Sequence, residues 1–220
     1  LMNGRPLALE QALDGIPAVL ETWFAGNEAG AAIADALYGR TNPGGRLPMG
    51  MPRTSGQLPL FYAHPPTGRP ANPDLSVDSA RYHDTAIGPL FPFGHGLSYT
   101  SFTYADLAVE PQPGGADEHR IACTVSNGGT MSGDEVVQLY VRAPVPGLAR
   151  PERELRGFVR ITLAPGETKR VTFTLTGHHF AHWADDAWQI AAGRVEVMVG
   201  ASSADIRLSG ALAVAESRRL

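Results

Sequence analysis

The sequence predicts an α/β fragment followed by an all-β domain, with a packed strap between them. One strand–loop–helix pattern lies within the first sixty residues, and seven short strand-like runs follow residue 101. The segment Gly88–Thr100 between them is apolar, yet proline and glycine interrupt it throughout. A strand followed by a helix indicates a parallel sheet, whereas successive short strands separated by turns indicate a β-sandwich or barrel.

Composition limits the kinds of partner that are expected. The 220 residues, 43% of them hydrophobic and 18% charged, are typical of a globular protein with a sizeable core. A net charge of −4 gives no indication of nucleic-acid binding, and no apolar run reaches the roughly 18 residues of a membrane span. Cys123 is the single cysteine, so no internal disulfide can form. We therefore expect neither nucleic acid nor a membrane as a partner.

The first part of the chain has the pattern of a parallel sheet with one helix. Leu1–Pro6 is typical of the end of a buried strand that enters a turn, and Pro17–Phe24 fits a short buried strand. A helix is predicted over Glu28–Tyr38, with Asn27 as its N-cap and Gly39 just after its end.

The α/β part, residues 1–60, is too small to cover its own apolar faces. We therefore expect the chain to be the C-terminal piece of a longer protein. On its own, the α/β part should expose a large apolar surface and cause aggregation or dimerisation.

The strap, Gly88–Thr100, is expected to be rigid. Pro89 and Pro92 exclude a helix, and Gly94 and Gly96 interrupt any strand. Four apolar side chains of the strap are predicted to be buried: Phe91, Phe93, Leu97 and Tyr99. The polar excursion from His64 to Tyr82 and the strap form a linker over residues 61–101.

Residues 102–215 are predicted to form a sandwich of seven strands, and the size and spacing are those of an immunoglobulin or fibronectin type III domain. No Cys…Trp…Cys pattern is present, so an antibody-type domain is excluded. The predicted strands are Phe102–Val109, His119–Ser126, Glu135–Arg142, Leu155–Leu163, Arg170–Leu175, Arg194–Val199 and Ile206–Val214.

Several motifs, in order along nearly the whole chain, resemble the C-terminal part of family 3 glycoside hydrolases, and most of all the bacterial periplasmic β-glucosidases. Each motif alone is weakly specific, whereas five or six in register are strongly specific. They are NGRP (3–6), ETWFAG (21–26), ADALYG (34–39), NPGGRLP (42–48), GPLFPFGHGLSYT (88–100), ELRGF (154–158) and LAPGET (163–168).

This resemblance implies a (β/α)8 barrel, an α/β sandwich domain and a fibronectin type III-like domain in the parent protein, which would be periplasmic or secreted. It implies hydrolysis of terminal β-D-glucosyl residues with retention, by an Asp of the barrel and a Glu earlier in the second domain. Both catalytic carboxylates would lie upstream of Leu1, so this chain alone is predicted to be inactive. Its implied partners are the missing barrel half, the β-glucoside through that parent, and a possible second copy; no cofactor is implied.

Four residues are candidates for positions next to the substrate. Trp23 and Glu28 bound the loop between the predicted parallel strand and the helix, where ligands of open α/β sheets bind. Glu28 could equally cap its own helix. Arg81 and Tyr82 combine a hydrogen-bond donor with an aromatic ring, which suits a sugar; the alternative for Arg81 is an interdomain ion pair.

Other chemistry-bearing residues are predicted to be structural. We interpret Asp185 and Asp186 as a solvated loop, Cys123 as a buried inert thiol, and the histidines His178, His179 and His182 as a surface corner without a metal. An alternative hypothesis makes the sandwich an autonomous carbohydrate- or protein-binding module. That hypothesis needs a flat row of exposed aromatic side chains, for which Trp183 and Trp188 are the only candidates.

Overall fold

The computed structural model describes residues 1–75, 79–113, 115 and 117–220. Residues 76–78 of the predicted polar excursion therefore lie outside the described residues. The described part contains one α-helix, α1 (Ala29–Leu37), and short 3-10 turns at Gln11–Leu13, Ser55–Gln57 and Gly177–His179. It also contains ten strands: β1 (Phe102–Pro111), β2 (His119–Asn127), β3 (Gly133–Arg142), β4 (Glu154–Leu163), β5 (Thr168–Leu175), β6 (His182–Ala184), β7 (Ala187–Ile190), β8 (Gly193–Gly200), β9 (Ile206–Val214) and β10 (Arg218–Arg219).

The all-β part is a sandwich of two antiparallel sheets, with strand orders β1-β2-β5 and β4-β3-β8-β9. All seven predicted strands are confirmed. Alternate residues of β5 and β8, among them Phe173 and Val197, point into the space between the sheets. The main hydrophobic core lies entirely between Phe102 and Val214. This arrangement is that of a fibronectin type III-like domain.

A small third sheet has the order β10-β7-β6, and Ile190 of β7 packs into the core of the sandwich. The solvated loop predicted at Asp185 and Asp186 is the exposed turn of a β6–β7 hairpin. Both residues have positive φ, 48° and 56°. Positive φ at both central residues is the mark of a type I′ turn, which matches the twist of the flanking strands.

In the α/β part, the parallel arrangement is confirmed but the buried strand is wrong. The Met2 amide donates to the Leu20 carbonyl at 2.9 Å, and the Thr22 amide donates to the Met2 carbonyl at 2.8 Å. Beyond this parallel bridge Pro17–Phe24 has no strand pairing, and Phe24 is 87% exposed. The reason is that a segment with a neighbour along one edge and no layer over its faces cannot bury its side chains.

Helix α1 begins at Ala29, one residue later than predicted. Glu28, not Asn27, occupies the N-cap position, and no side chain caps the first turn. Gly39 follows the helix with a φ of 71°, as the sequence predicts for a glycine at this position. No residue of α1 is buried.

The strap pairs through backbone hydrogen bonds with the extended chain that leaves the α/β part. The Gly94 amide donates to the Leu47 carbonyl at 2.8 Å, and the Leu47 amide donates to the His95 carbonyl at 2.8 Å. A third bond, from the Met51 amide to the Phe91 carbonyl, is also 2.8 Å long.

The predicted burial of the strap is only half correct. Phe91 and Phe93 are half-buried, and Phe93 stacks on Tyr62 with ring centroids 4.2 Å apart. Leu97 and Tyr99 are exposed by 78% and 53%, so their predicted burial is wrong. The hydroxyl of Tyr99 donates to the Ala36 carbonyl at 2.8 Å. This bond holds the Tyr99 ring at the C-terminal end of α1, so the ring is not covered by the strap.

Candidate functional site

The candidate site lies at the carboxyl end of the segment that runs parallel to residues 2–4. The loop Trp23–Glu28 begins there, and the Trp23 carbonyl accepts a hydrogen bond of 3.1 Å from the Gly4 amide. In open parallel sheets this edge is where ligands bind, because successive strands end there and leave a crevice. The loop predicted from the sequence therefore occupies the expected edge.

Trp23 adopts a left-handed backbone conformation, with a φ of 47°. The Trp23 amide donates to Oε1 of Glu21 at 2.7 Å, so the side chain of Glu21 closes a turn with the backbone two residues later. Oε2 of Glu21 is shielded from solvent and has no hydrogen-bond partner among the described residues. Sequence reasoning missed Glu21; the signal would have been a side-chain acceptor directly before a non-glycine turn.

Glu28 is exposed, and its carboxylate makes no capping hydrogen bond to α1. The alternative in which Glu28 caps its own helix through its side chain is therefore not observed. A free carboxylate at the start of α1 still lies in the favourable field of the helix N-terminus.

Arg81 and Tyr82 lie beside the 3-10 turn Ser55–Gln57. The Tyr82 hydroxyl donates to the Gly56 carbonyl at 2.6 Å, while the side chain stays 51% exposed. Nε of Arg81 is shielded and has no hydrogen-bond partner in the described part of the chain, where Arg81 forms no ion pair either. The ion-pair alternative for Arg81 is thus not observed, and no described hydrogen bond joins this pair to the Trp23 loop.

A polar network connects the neighbourhood of Arg81 and Tyr82 to the N-terminal segment. Arg53 forms an ion pair with Glu10, and its Nε donates to the Gly88 carbonyl at 3.2 Å. Gln57 is buried and donates to the same carbonyl at 3.1 Å. Three separate stretches of the chain are therefore held together at the start of the strap.

The histidine corner and the buried thiol have structural roles. His179 accepts a hydrogen bond of 2.9 Å from the Thr176 amide, which caps the turn that His179 ends. Within the described ranges, no group of three or more His, Cys, Asp or Glu side chains could hold a metal ion. Cys123 is fully buried, and burial raises the pKa of its thiol.

Trp183 and Trp188 face each other across the β6–β7 hairpin. Their ring centroids are 5.7 Å apart and the ring planes cross at 82°. Such an edge-to-face pair stabilises a hairpin. It does not provide the flat aromatic row that the binding-module hypothesis requires.

The α/β part and the strap have almost no core of their own. Among the described residues of the first hundred, only Met2, Met51 and Pro52 have buried apolar side chains. Phe24 and Tyr38 are 87% and 81% exposed. An apolar cavity of about 220 Å³ also opens beside the parallel bridge between Met2 and Glu21. It is lined by Leu1, Met2, Asn3, Leu7, Leu9, Leu13, Ile16, Ala18 and Val19.

Among the described helices, none is long and apolar enough to cross a membrane.

Two family profiles match the chain. The glycosyl hydrolase family 3 C-terminal domain matches residues 1–99, and the fibronectin type III-like domain matches residues 135–203. A periplasmic beta-glucosidase of Salmonella typhimurium is 43% identical over 94% of the chain, and a beta-xylosidase of Formosa agariphila is 40% identical over 92%. The chain spans 28% of the length of each of these two relatives.

The same similarity holds in three dimensions. The beta-glucosidase of Listeria innocua in complex with isofagomine superposes on 98% of the chain with a TM-score of 0.89 and 36% sequence identity. The chain covers 30% of that structure.

Proposed function

Because the chain belongs to glycoside hydrolase family 3, we propose that it is the C-terminal structural portion of a retaining β-glucosidase. Its substrate would carry a terminal β-D-glucosyl residue. The catalytic Asp and Glu would be supplied by the upstream part of the parent, so this chain alone would not hydrolyse a glucoside. Retention requires two carboxyl groups about 5–5.5 Å apart, one as nucleophile and one as acid and base.

The observation that carries the proposal is the contrast between the two parts of the chain. The fibronectin type III-like domain has a closed core, whereas α1 has no buried residue and the α/β part has almost none. A helix without a buried face is not stable alone, because tertiary packing supplies most of the stability of a short helix. In this proposal the upstream barrel half of the parent is the partner that covers this surface.

Within this proposal, the Trp23 loop and the pair Arg81 and Tyr82 lie next to the substrate and contribute contacts rather than chemistry. The exposed ring of Tyr82 suits stacking on a sugar ring, and the guanidinium of Arg81 would donate hydrogen bonds to sugar hydroxyls. We place the parent in the periplasm or outside the cell, supported by the name of the Salmonella relative. Without its upstream half, the chain would associate with a second copy through the exposed apolar side chains of its α/β part.

A chimera tests the proposal. The 28% of the Salmonella enzyme that this chain matches is replaced by this chain, and hydrolysis of aryl β-glucoside and aryl β-xyloside is measured. We expect no turnover by this chain alone, none by the truncated relative, and turnover of the glucoside by the chimera. The released sugar should keep the β configuration in an NMR time course.

A matched control isolates the α/β part. A second chimera receives only residues 102–220, which form the sandwich and the small third sheet, and should be inactive. Turnover by the isolated chain would contradict the proposal, as would an inactive full chimera that is folded by circular dichroism. Preference for the xyloside would assign the substrate class of the Formosa relative instead.

A further inference from the structure

We infer that Glu21 is a positioning residue: its carboxylate holds Trp23 in the conformation that places the indole at the substrate edge. This inference rests on the proposed function, since it concerns the loop that would lie next to the substrate. Glu21 itself would not touch the reacting atoms. It would act through Trp23.

The backbone of Trp23 requires such support. A φ of 47° lies in the left-handed region, where the Cβ of any residue other than glycine crowds the backbone. Strained residues of this kind persist only where their surroundings hold them, and they concentrate at ligand sites. Here the hydrogen bond of 2.7 Å from the Trp23 amide to Oε1 of Glu21 holds the residue from one side. The bond of 3.1 Å from the Gly4 amide to the Trp23 carbonyl holds it from the other side.

Glu21 has no competing role in the described structure. Its second oxygen, Oε2, has no hydrogen-bond partner and is shielded from solvent, and no ion pair involves this carboxylate in the described residues. A shielded carboxylate with a single hydrogen bond is costly, so a purely structural site would be better filled by an apolar residue. The bond to Trp23 is therefore the contact that this carboxylate makes.

The neighbouring residue provides a matched control. The hydroxyl of Thr22 donates to the Met2 carbonyl at 3.2 Å on the same segment, away from the loop. Thr22→Ala removes one side-chain hydrogen bond but leaves the bond between Glu21 and Trp23 in place. Glu21→Gln keeps a carbonyl oxygen for the Trp23 amide, whereas Glu21→Ala removes the acceptor.

The first measurement needs no activity. It is made on the full chimera, in which residues 1–60 have their upstream partner, and the signal of Trp23 is the difference between each protein and the same protein carrying Trp23→Phe. In the chimera we expect Glu21→Ala to shift Trp23 emission to the red and to increase its quenching by acrylamide. Glu21→Gln and Thr22→Ala should leave both unchanged. No change in Glu21→Ala, or an equal change in Thr22→Ala, would overturn the inference.

The second measurement uses the chimera and an aryl β-glucoside. Glu21→Ala should raise KM about tenfold with kcat within about twofold, as expected for the loss of binding contacts, and Glu21→Gln should restore KM. In a Trp23→Gly background Glu21→Ala should have no further effect, because glycine adopts positive φ unaided. If the chimera without these substitutions is inactive, the proposed function fails while the fluorescence still decides the positioning. If the chimera is active and KM is insensitive to Glu21→Ala, the inference fails and the proposed function stands.

Discussion

Arg46 of the α/β part and Glu135 of β3 form an ion pair in the seam between the two parts of the chain. Nη2 of Arg46 lies 2.9 Å from Oε2 of Glu135, and the two side chains are only 7% and 4% exposed. Glu135 also accepts a hydrogen bond of 3.0 Å from the Tyr104 hydroxyl. The end of the α/β part is thus attached to the sandwich by a charge pair from which water is excluded.

Removal of one partner of this pair should be strongly destabilising. Arg46→Ala leaves the Glu135 carboxylate buried and unpaired, and we expect a loss of about 3–5 kcal/mol in the free energy of unfolding. Urea denaturation followed by circular dichroism measures it. The control is Arg142→Ala, whose partner Glu196 is 3.8 Å away and whose side chain is 42% exposed, with an expected loss below about 1 kcal/mol. Equal losses of unfolding free energy in the two variants would contradict the prediction that the buried pair contributes more than an exposed one.

Glu135 and its neighbour Asp134 should give opposite pH dependences. Burial raises the pKa of Glu135 above its ordinary value of 4.5, so the folded state binds this proton more tightly than the unfolded chain. The stability that this proton contributes is complete below pH 4.5 and is lost as pH rises through the raised pKa. The free energy of unfolding of the wild type should therefore fall relative to Glu135→Gln as pH rises above 4.5.

For Asp134 the pH dependence of the stability contribution has the opposite sign. Hydrogen bonds from Thr162 and Arg160 lower the pKa of Asp134 below its ordinary value of 3.8. The ionised carboxylate of Asp134 contributes fully to the free energy of unfolding above pH 3.8, and this contribution is lost as pH falls through the lowered pKa. The stability gap between wild type and Asp134→Asn should close on acidification, in denaturation curves collected across pH 2–7. A gap that widens on acidification would contradict the assignment.

Gly94 should tolerate no side chain, for two separable reasons. Its φ is 81°, and a Cβ built on it would clash with Oε1 of Gln138. Gln138 is itself fixed, since its Nε2 donates to the Gly94 carbonyl at 3.1 Å. Gly166 has a φ of 73° and nothing within 4 Å of the corresponding Cβ position. We expect Gly166→Ala to cost about 1 kcal/mol and Gly94→Ala at least about 2 kcal/mol more in urea denaturation, because only the latter adds a steric clash. Equal losses of unfolding free energy in the two variants would mean that the strap can move to accommodate the added methyl group.

The exposed apolar side chains of the α/β part should make the isolated chain self-associate. Phe24 is 87% exposed, so Phe24→Asp removes apolar surface without loss of packing and should reduce both self-association and binding of a hydrophobic dye. Phe158 of β4 is 66% exposed on the sandwich, and Phe158→Asp serves as the control with a smaller effect. Sedimentation velocity measures the self-association of each variant. A monomeric wild-type chain that binds no dye would contradict the expectation.

The sequence predicts the sandwich better than the rest because each strand carries its own signal. The alternation of Val171, Phe173 and Leu175 is visible in the sequence, and those side chains lie in the core. The β6–β7 hairpin was missed because its turn is Asp185-Asp186 rather than a turn containing glycine or asparagine. Two features could not be predicted from the sequence: the exposure of Leu97 and Tyr99, and the hydrogen bond between Glu21 and Trp23. Both depend on which elements lie nearby in space, and the local pattern of apolar residues does not reveal this.

Helix α1 and the segment before it should acquire their stability from an upstream partner rather than from this chain. Hydrogen–deuterium exchange of the isolated chain and of the full chimera tests this expectation most directly. We expect amides of α1 to exchange rapidly in the isolated chain and to become protected in the chimera, whereas amides of β3 and β8 should be protected in both. Protection of α1 in the isolated monomeric chain at the level of β3 would contradict it.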